Sequence, residues 1–411
     1  MQQLDKLQAL ILEIRSRNRF YAAKLPPELP SSLKEFFKKT PFTTKHELAL
    51  DQQNNPPFGS NLTYPLERYS RFSQTSGTSG KPMRWLDTAE SWDWMAGNWR
   101  RVFESAGVTG TDRVFFAFSF GPFLGFWVAF EAAERMGCLC MPGGGMPTAA
   151  RLAVMFDSGA TVLCCTPTYA IHLAEVAARE GIDIGGRSRV RSIVVAGEPG
   201  GSIPAIRQKI EALWPGARVF DHHGMTEIGP VSYGCPARRD VLHIIESSYI
   251  AEVIDPQSGR HVQPGLQGEL VLTNLGRPGS PLLRYRTGDL VVASPDERCE
   301  CGSTEMALLG GILGRADDMV VVRGVNVYPA AVEEVLRDVG GVAEYRVCVS
   351  QKLGLAELTL EVEPEPAAVN GLAHHIEARL RDALSLRIAV TIVEPGALPR
   401  FEMKARRWLR Q

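Results

Sequence analysis

Between residues 112 and 230, short apolar runs alternate with amphipathic stretches, and this alternation restricts the fold more than any other feature of the chain. The runs at 113–118, 138–141, 161–165, 192–196 and 217–220 read as strands buried on both faces. Between them, 126–136, 147–157, 168–180 and 203–213 carry helical periodicity. Such alternation builds βαβ units, so the expected core is a largely parallel sheet covered on both sides. Ligands of these sheets sit at the carboxyl ends of the strands, and the loops after these runs are where chemistry is expected.

The pattern then changes twice. Residues 249–294 (YIAEVID, GELVLTNL, LLRYRTGDLVVA) are strand-rich with Gly/Pro turns, a small β-region. Past Gly314 come MVVV, a helix from Pro329 to about Leu336, a strand near 346–350, the alternating ELTLEVE, a helix at about 371–384 and IAVTIVE. Two helices among four short strands make a compact α+β unit. The expected fold class is therefore α/β. A large N-terminal domain over 1–314 holds the mostly parallel sheet and the β-region, and a small α+β domain covers 315–411, with the joint near Arg315–Asp317.

Bulk properties narrow the function. A net charge of −1 over 411 residues gives no support to nucleic-acid partners, and no basic run suggests a membrane surface. The N-terminus is an amphipathic helix with Leu4, Leu7, Ile11 and Ile14 on one face and has no signal-peptide pattern, so a cytoplasmic protein is expected. Eight cysteines in a chain this long do not indicate a disulfide scaffold, and Cys138, Cys140, Cys164 and Cys165 lie in apolar runs as expected of reduced core residues.

Polar segments punctuate the strand ends. Residues 73–82 read Ser-Gln-Thr-Ser-Gly-Thr-Ser-Gly-Lys-Pro. Thr75, Ser76, Thr78 and Ser79 offer hydroxyls, Gly77 and Gly80 let backbone N–H groups approach an anion, and Lys81 adds charge. The GxxxxGK[ST] spacing of a P-loop NTPase is absent. Taken alone the segment suits a flexible linker as well as a polyphosphate cradle. Ala196-Gly197-Glu198-Pro199 closes one strand and Asp221-His222-His223-Gly224-Met225-Thr226-Glu227 the next. Tyr285-Arg286-Thr287-Gly288-Asp289 lies in the β-region, Gly314-Arg315-Ala316-Asp317 at the joint, and Arg400-Phe401-Glu402-Met403-Lys404 near the end.

In order and spacing these segments resemble the adenylate-forming superfamily of acyl-CoA synthetases, adenylation domains and luciferases. Phe120-Gly121-Pro122-Phe123 and RADDMVVVRGVNVYPAAVEEVL are most similar to its phenylacetate–CoA ligase branch. The resemblance runs from about residue 70 to the end. It implies attack of a carboxylate on the α-phosphate of ATP, then transfer of the acyl group to the thiol of coenzyme A. It implies that 75–81 cradle the β- and γ-phosphates and that Gly197, Glu198, Pro199 and 221–226 border the nucleotide. Thr226 and Glu227 would act at the reacting end, with Glu227 binding Mg²⁺. Asp289 would hold both ribose hydroxyls, and Arg315 would meet phosphate or ribose oxygen. Lys404 would reach the carboxylate and α-phosphate, although Met403 stands where the family usually has Gly; the bland alternative is a solvated lysine in a basic tail. Asp317 matches the hinge about which a mobile C-terminal lid turns, and Gly324 would let the pantetheine arm pass. His222 and His223 stand near a position where relatives carry an aromatic residue stacked on adenine. His223 can stack too, and adjacent side chains on an extended chain point oppositely, which disfavours a paired-histidine metal site.

Two further sets complete the reading. Cys235, His243, Cys299 and Cys301 supply three sulfurs and one imidazole, suited to a structural tetrahedral Zn²⁺; some members of the resembled branch carry a similar set, and the alternative is three surface thiols and an unrelated histidine. Phe120, Gly121, Phe123, Gly144, Gly145 and Ala196 are expected to line the acyl pocket, where aromatic walls with small residues between them admit a flat aryl or arylacetic acid. The same phenylalanines suit a core. The acceptor stays open between coenzyme A, a carrier-protein pantetheine and an amine, a non-catalytic nucleotide-binding regulator is the rival class, and a monomer and a homodimer are equally compatible with the sequence.

Overall fold

A computed structural model describes residues 2–75, 82–316, 320–322, 325–327, 329–352, 355–366, 368, 371–401 and 407–410. A hairpin of β1 (Tyr69–Gln74) and β2 (Arg84–Thr88) precedes the central sheet. That sheet contains β3 (Arg113–Phe116), β4 (Leu139–Pro142), β5 (Val162–Cys165), β6 (Ser192–Val195) and β7 (Arg218–Asp221), all parallel, in the order β4-β3-β5-β6-β7. Each strand and each intervening helix lies within a few residues of its expected place.

Alternation along the strands explains why both faces are covered. Val114, Phe116, Val162, Cys164, Val194 and Phe220 enter one apolar cluster, while Phe115, Leu163, Cys165, Ile193, Val195 and Val219 enter another on the opposite face. Side chains of period two can do this only when each face meets its own helices. Thr166 caps the helix Pro167–Arg179 by accepting from the Tyr169 N–H, and proline at its first position is already set for the turn. The chain goes from β3 outward to β4, then back past β3 to β5. This reversal opens the crevice between β3 and β5 at their carboxyl ends.

After β7 come a short hairpin of β8 (Gly224–Met225) and β9 (Gly229–Pro230) and two antiparallel sheets. One contains β10 (Ser232–Gly234), β11 (Val241–Ile244) and β15 (Ala307–Leu309). The other contains β12 (Tyr249–Ile254), β13 (Gln267–Asn274), β14 (Tyr285–Val292) and β16 (Gly314–Arg315). Arg315 thus pairs in register with Asp289.

The last hundred residues build a separate apolar cluster around Val327, Leu336, Val347, Leu360 and Ile376. β17 (Val320–Val322), in the MVVV run, and β18 (Val325–Val327) form their own ribbon. The sheet's fourth strand is β22 (Trp408–Arg410), parallel to β19 (Val342–Lys352) beside β20 (Leu355–Pro364) and β21 (Ala389–Ile392). A three-residue strand inside a basic tail has too few alternations to register as a pattern. Lys209 on the helix Pro204–Leu213 meets Glu365 at 2.7 Å, linking this unit to the parallel sheet. Among the described residues no helix is long and apolar enough to cross a membrane.

Candidate active site

Strand β7 ends at Asp221, whose side chain is consumed locally. Its Oδ2 accepts from the Ser202 hydroxyl at 2.6 Å and its Oδ1 from the His222 N–H at 3.0 Å, and burial raises its pKa. The next two residues separate as an extended chain dictates. His222 turns into the core, its ring centroid 4.2 Å from that of Trp99 and its Nδ1 2.7 Å from the Ser232 carbonyl. Burial pushes this imidazole down to about 3. The expectation that the His222 ring borders the nucleotide is therefore corrected: it is a neutral core residue.

His223 faces the other way. Its Nε2 lies 2.9 Å from Asp289 Oδ2, while Nδ1 is buried with no partner among the described residues. Arg315 donates to Asp289 Oδ1 at 3.2 Å. Asp289, itself 4% exposed, is thus flanked by an imidazole and a guanidinium. Three segments far apart in sequence, ending β7, spanning β14 and forming β16, meet at one carboxylate.

Thr226 and Glu227 form the tip of the β8–β9 hairpin. Glu227 is buried, and its Oε1 accepts from the Tyr285 hydroxyl at 2.9 Å. Desolvation first, and then the charge of Glu227, keep that phenol protonated. The backbone of the tip is held by Arg277, which donates to the carbonyls of Thr226 and Glu227 while pairing with Asp87. Sequence reasoning missed Asp87 and Arg277. Neither sits in a recognisable motif, and only folding brings together two residues 190 apart. A single carboxylate at a fixed turn is a hard oxygen donor of the kind Mg²⁺ uses together with substrate phosphates, so Glu227 fits that ion.

The hydroxyl-rich loop leaves and returns at a closed neck. Thr75 N–H donates to the Met83 carbonyl at 2.9 Å, and the Met83 N–H to Thr75 Oγ1 at 3.1 Å. Ser76, Gly77, Thr78, Ser79, Gly80 and Lys81 lie outside the described residues, as do Asp317, Gly324 and Lys404. At the neck, Gln74 N–H donates to the Pro122 carbonyl at 2.8 Å, which sets the end of β1 beside the loop that follows β3. Gly197 takes φ +94°, open to glycine, and turns the chain so that Glu198 accepts from the Thr168 N–H at 2.9 Å; Pro199 is exposed.

Beyond β3 the aromatic residues form a wall. The Phe120 ring lies 5.7 Å from Phe118, 4.9 Å from Trp127 and 5.6 Å from Phe130, centroid to centroid. Gly144 backs onto it, since a Cβ there would stand 3.1 Å from Phe120 Cδ2. The Phe123 ring covers Gly121, and Gly145 takes φ +74° in the same β4 loop as Gly144. Ala196 directly follows β6, which β5 separates from β3. Trp127, 40% exposed, and the half-buried Phe130 belong to the helix Leu124–Arg135.

Cys235, His243, Cys299 and Cys301 come together with all ligand atoms within 4.8 Å of one another. Tetrahedral Zn²⁺ with Zn–S near 2.3 Å implies sulfur–sulfur separations of about 3.8 Å. Cys235 Sγ and Cys299 Sγ are 3.6 Å apart, and Cys301 Sγ is 3.4 Å from His243 Nε2. His243 Nδ1 faces the Glu305 carbonyl at 3.3 Å, leaving Nε2 for a metal. The donor set fits zinc.

The chain is similar to known proteins over most of its length. Residues 72–276 match the AMP-binding enzyme family and 324–410 the AMP-binding enzyme C-terminal domain. A phenylacetate–coenzyme A ligase of Thermus thermophilus is 32% identical, the alignment covering 97% of this chain and 93% of that one. The Escherichia coli phenylacetate–coenzyme A ligase is 31% identical over 95% of this chain and 88% of its own. A 2-hydroxyisobutyryl-CoA ligase in the postadenylation state with an acyl-AMP superposes with a TM-score of 0.93 at 30% identity, over 100% of this chain and 89% of that one. The same enzyme in its thioesterification state with coenzyme A gives 0.74, covering 99% of this chain and 88% of that one. The chain belongs to the AMP-binding enzyme family, in its phenylacetate–coenzyme A ligase-like branch.

Proposed function

We propose that this protein converts an aromatic carboxylic acid, aryl or arylacetic, to its acyl-adenylate with release of pyrophosphate, then passes the acyl group to the thiol of coenzyme A. Family membership makes it an AMP-forming acid–thiol ligase. The observation that carries the reading is the meeting of His223, Asp289 and Arg315 at the carboxyl end of the sheet.

In this reading Asp289 accepts from the ribose hydroxyls and Arg315 steadies phosphate or ribose oxygen. Residues 75–81 hold the β- and γ-phosphates, with Gly197, Glu198, Pro199, Asp221 and 223–226 bordering the nucleotide. Glu227 holds Mg²⁺, which when bound offsets charge on phosphate oxygens. The reaction joins two anions, so in-line positioning and charge neutralisation are its main demands. Lys404 answers both by reaching carboxylate and α-phosphate. Residues 315–411 act as a lid turning at Asp317, with the pantetheine arm passing Gly324. Zinc at Cys235, His243, Cys299 and Cys301 is structural.

The aromatic preference is supported by the named phenylacetate relatives and by the Phe118–Phe120–Trp127–Phe130 wall. A second reading, a short branched hydroxy acid, is favoured by the 2-hydroxyisobutyryl-CoA ligase at 30% identity. Acid-dependent pyrophosphate exchange with phenylacetate, benzoates and 2-hydroxyisobutyrate separates the two. Adding coenzyme A, a carrier-protein pantetheine or an amine then identifies the acceptor. Greater exchange with 2-hydroxyisobutyrate than with any aromatic acid replaces the aromatic reading, and no exchange with any acid favours a nucleotide-binding regulator.

A further inference from the structure

A fully buried ion pair is a poor source of stability, because desolvation offsets the attraction and apolar residues of similar volume serve as well. Arg277 and Asp87 form such a pair. Both side chains have 0% exposure, and the carboxylate accepts from Nε at 2.6 Å and from Nη2 at 2.8 Å. An apolar substitute could not reproduce the third nitrogen. Nη1 donates to the Thr226 carbonyl at 2.9 Å and to the Glu227 carbonyl at 2.7 Å.

Those carbonyls sit where the β8–β9 ladder has ended, at Met225 opposite Gly229, so the hairpin supplies them no ladder donor. Buried carbonyls need one. The guanidinium is planar, and two parallel bonds to Asp87 fix its plane, so the direction of Nη1 is set by β2 and not by the hairpin itself. Residue 227 is thus gripped at its backbone by Arg277 and at its carboxylate by the Tyr285 hydroxyl. Any tilt of the tip would carry the Glu227 carboxylate with it.

We propose that Arg277 is a positioning residue: locked by Asp87, it orients the hairpin tip so that Glu227 presents its carboxylate to the divalent cation that accompanies the nucleotide. The inference rests on the assignment of Glu227 to that cation. The two are separated by titrating Mn²⁺ into the full-length protein with a non-hydrolysable ATP analogue and no acid, following the electron paramagnetic resonance of free Mn²⁺. Glu227→Gln is the reference. Arg277→Lys keeps the charge and loses the fork, and it is expected to weaken Mn²⁺ binding about 10- to 100-fold, the usual effect of losing a group that orients a metal ligand. Asp87→Asn releases the guanidinium plane and shifts binding the same way by less. Unchanged Mn²⁺ affinity in Glu227→Gln defeats the Glu227 assignment. Weakened binding there, with wild-type affinity in Arg277→Lys, overturns the inference, even when the variant melts earlier, because Arg277 then only seals buried carbonyls. Should Arg277→Lys not fold, Asp87→Asn decides: wild-type affinity overturns the proposal and weaker affinity supports it.

Discussion

Glu344 and Glu363 stand directly opposite each other across β19 and β20, both buried, at 3% and 2% exposure. Like charges facing across a ladder repel. Each is offset by an arginine, and Arg407 also lies 3.7 Å from Glu333, which keeps Arg337 as a second partner. Arg407 bonds Glu344 at 2.5 and 3.1 Å, and Arg400 bonds Glu363 at 2.5 and 3.0 Å, holding that carboxyl below its usual range. The two arginines flank Lys404 in sequence, so the ends of the segment bearing it are tied to the same pair of strands.

Removing Arg407 strands a buried carboxylate. Arg407→Met is expected to destabilise the C-terminal unit by about 3–5 kcal/mol, the range for breaking a buried pair from one side. Adding Glu344→Gln removes the orphaned charge and should return much of that loss. Chemical denaturation of wild type, single and double variants checks it, and equal instability of the two variants contradicts the pairing.

His222 makes stability depend on pH. Its folded pKa of about 3 lies below the ordinary histidine value of 6.5. Between the two, the unfolded chain binds a proton that the folded one refuses, so stability rises with pH. Acidification from pH 6.5 toward 3 therefore costs about 1.4 kcal/mol per pH unit from this group. Urea unfolding at pH 7, 6 and 5 should show a shallower slope for His222→Gln than for wild type. Identical slopes rule the account out.

The two histidines also show how far the sequence could be read. Strand–helix alternation placed the parallel sheet and its helices because both rest on local periodicity. The same reasoning had adjacent side chains pointing oppositely, as His222 and His223 do, yet nothing local said which of the two faces Asp289. Arg277 with Asp87, and Trp408–Arg410 as a strand, were not legible either. Their roles exist only once distant segments meet, and a lone arginine or a three-residue strand carries no period. The cysteines were legible as a set because zinc chemistry restricts ligand type so strongly.

Zinc should be present in equimolar amount in protein purified without chelator, as measured by inductively coupled plasma mass spectrometry. Cys299→Ser should reduce the content and lower the melting temperature, because a closed site contributes to folding. Zinc-free wild type of unchanged melting temperature would argue for thiols clustered without a metal.

Lys404→Ala should split the two half-reactions. Loss of one donor at a developing charge lowers rates about 10²–10³-fold, and pyrophosphate exchange should fall by that order. Thioester formation from supplied acyl-adenylate should persist, since the proposed rotation takes this lysine away from the site. Equal loss in both half-reactions removes Lys404 from the role assigned.

Gly144 tests what the aromatic wall is for. It is absent from the positive-φ glycines, so alanine brings no backbone strain, only a methyl 3.1 Å from Phe120 Cδ2 and 3.4 Å from the Phe118 carbonyl. Phe120 is already boxed by Trp127 and Phe130, and its ring has to give way on its remaining side. If that side is the acyl pocket, the space for a flat ring shrinks while a short branched acid still fits. One methyl in an apolar pocket is worth about 10- to 200-fold in discrimination, so Gly144→Ala should raise the KM for phenylacetate at least about tenfold in pyrophosphate exchange. The KM for ATP should hold, because no nucleotide contact is touched. A variant whose acid preference matches wild type would assign the Phe120 cluster to the core and move the search for the acid to the loops ending β5 and β6.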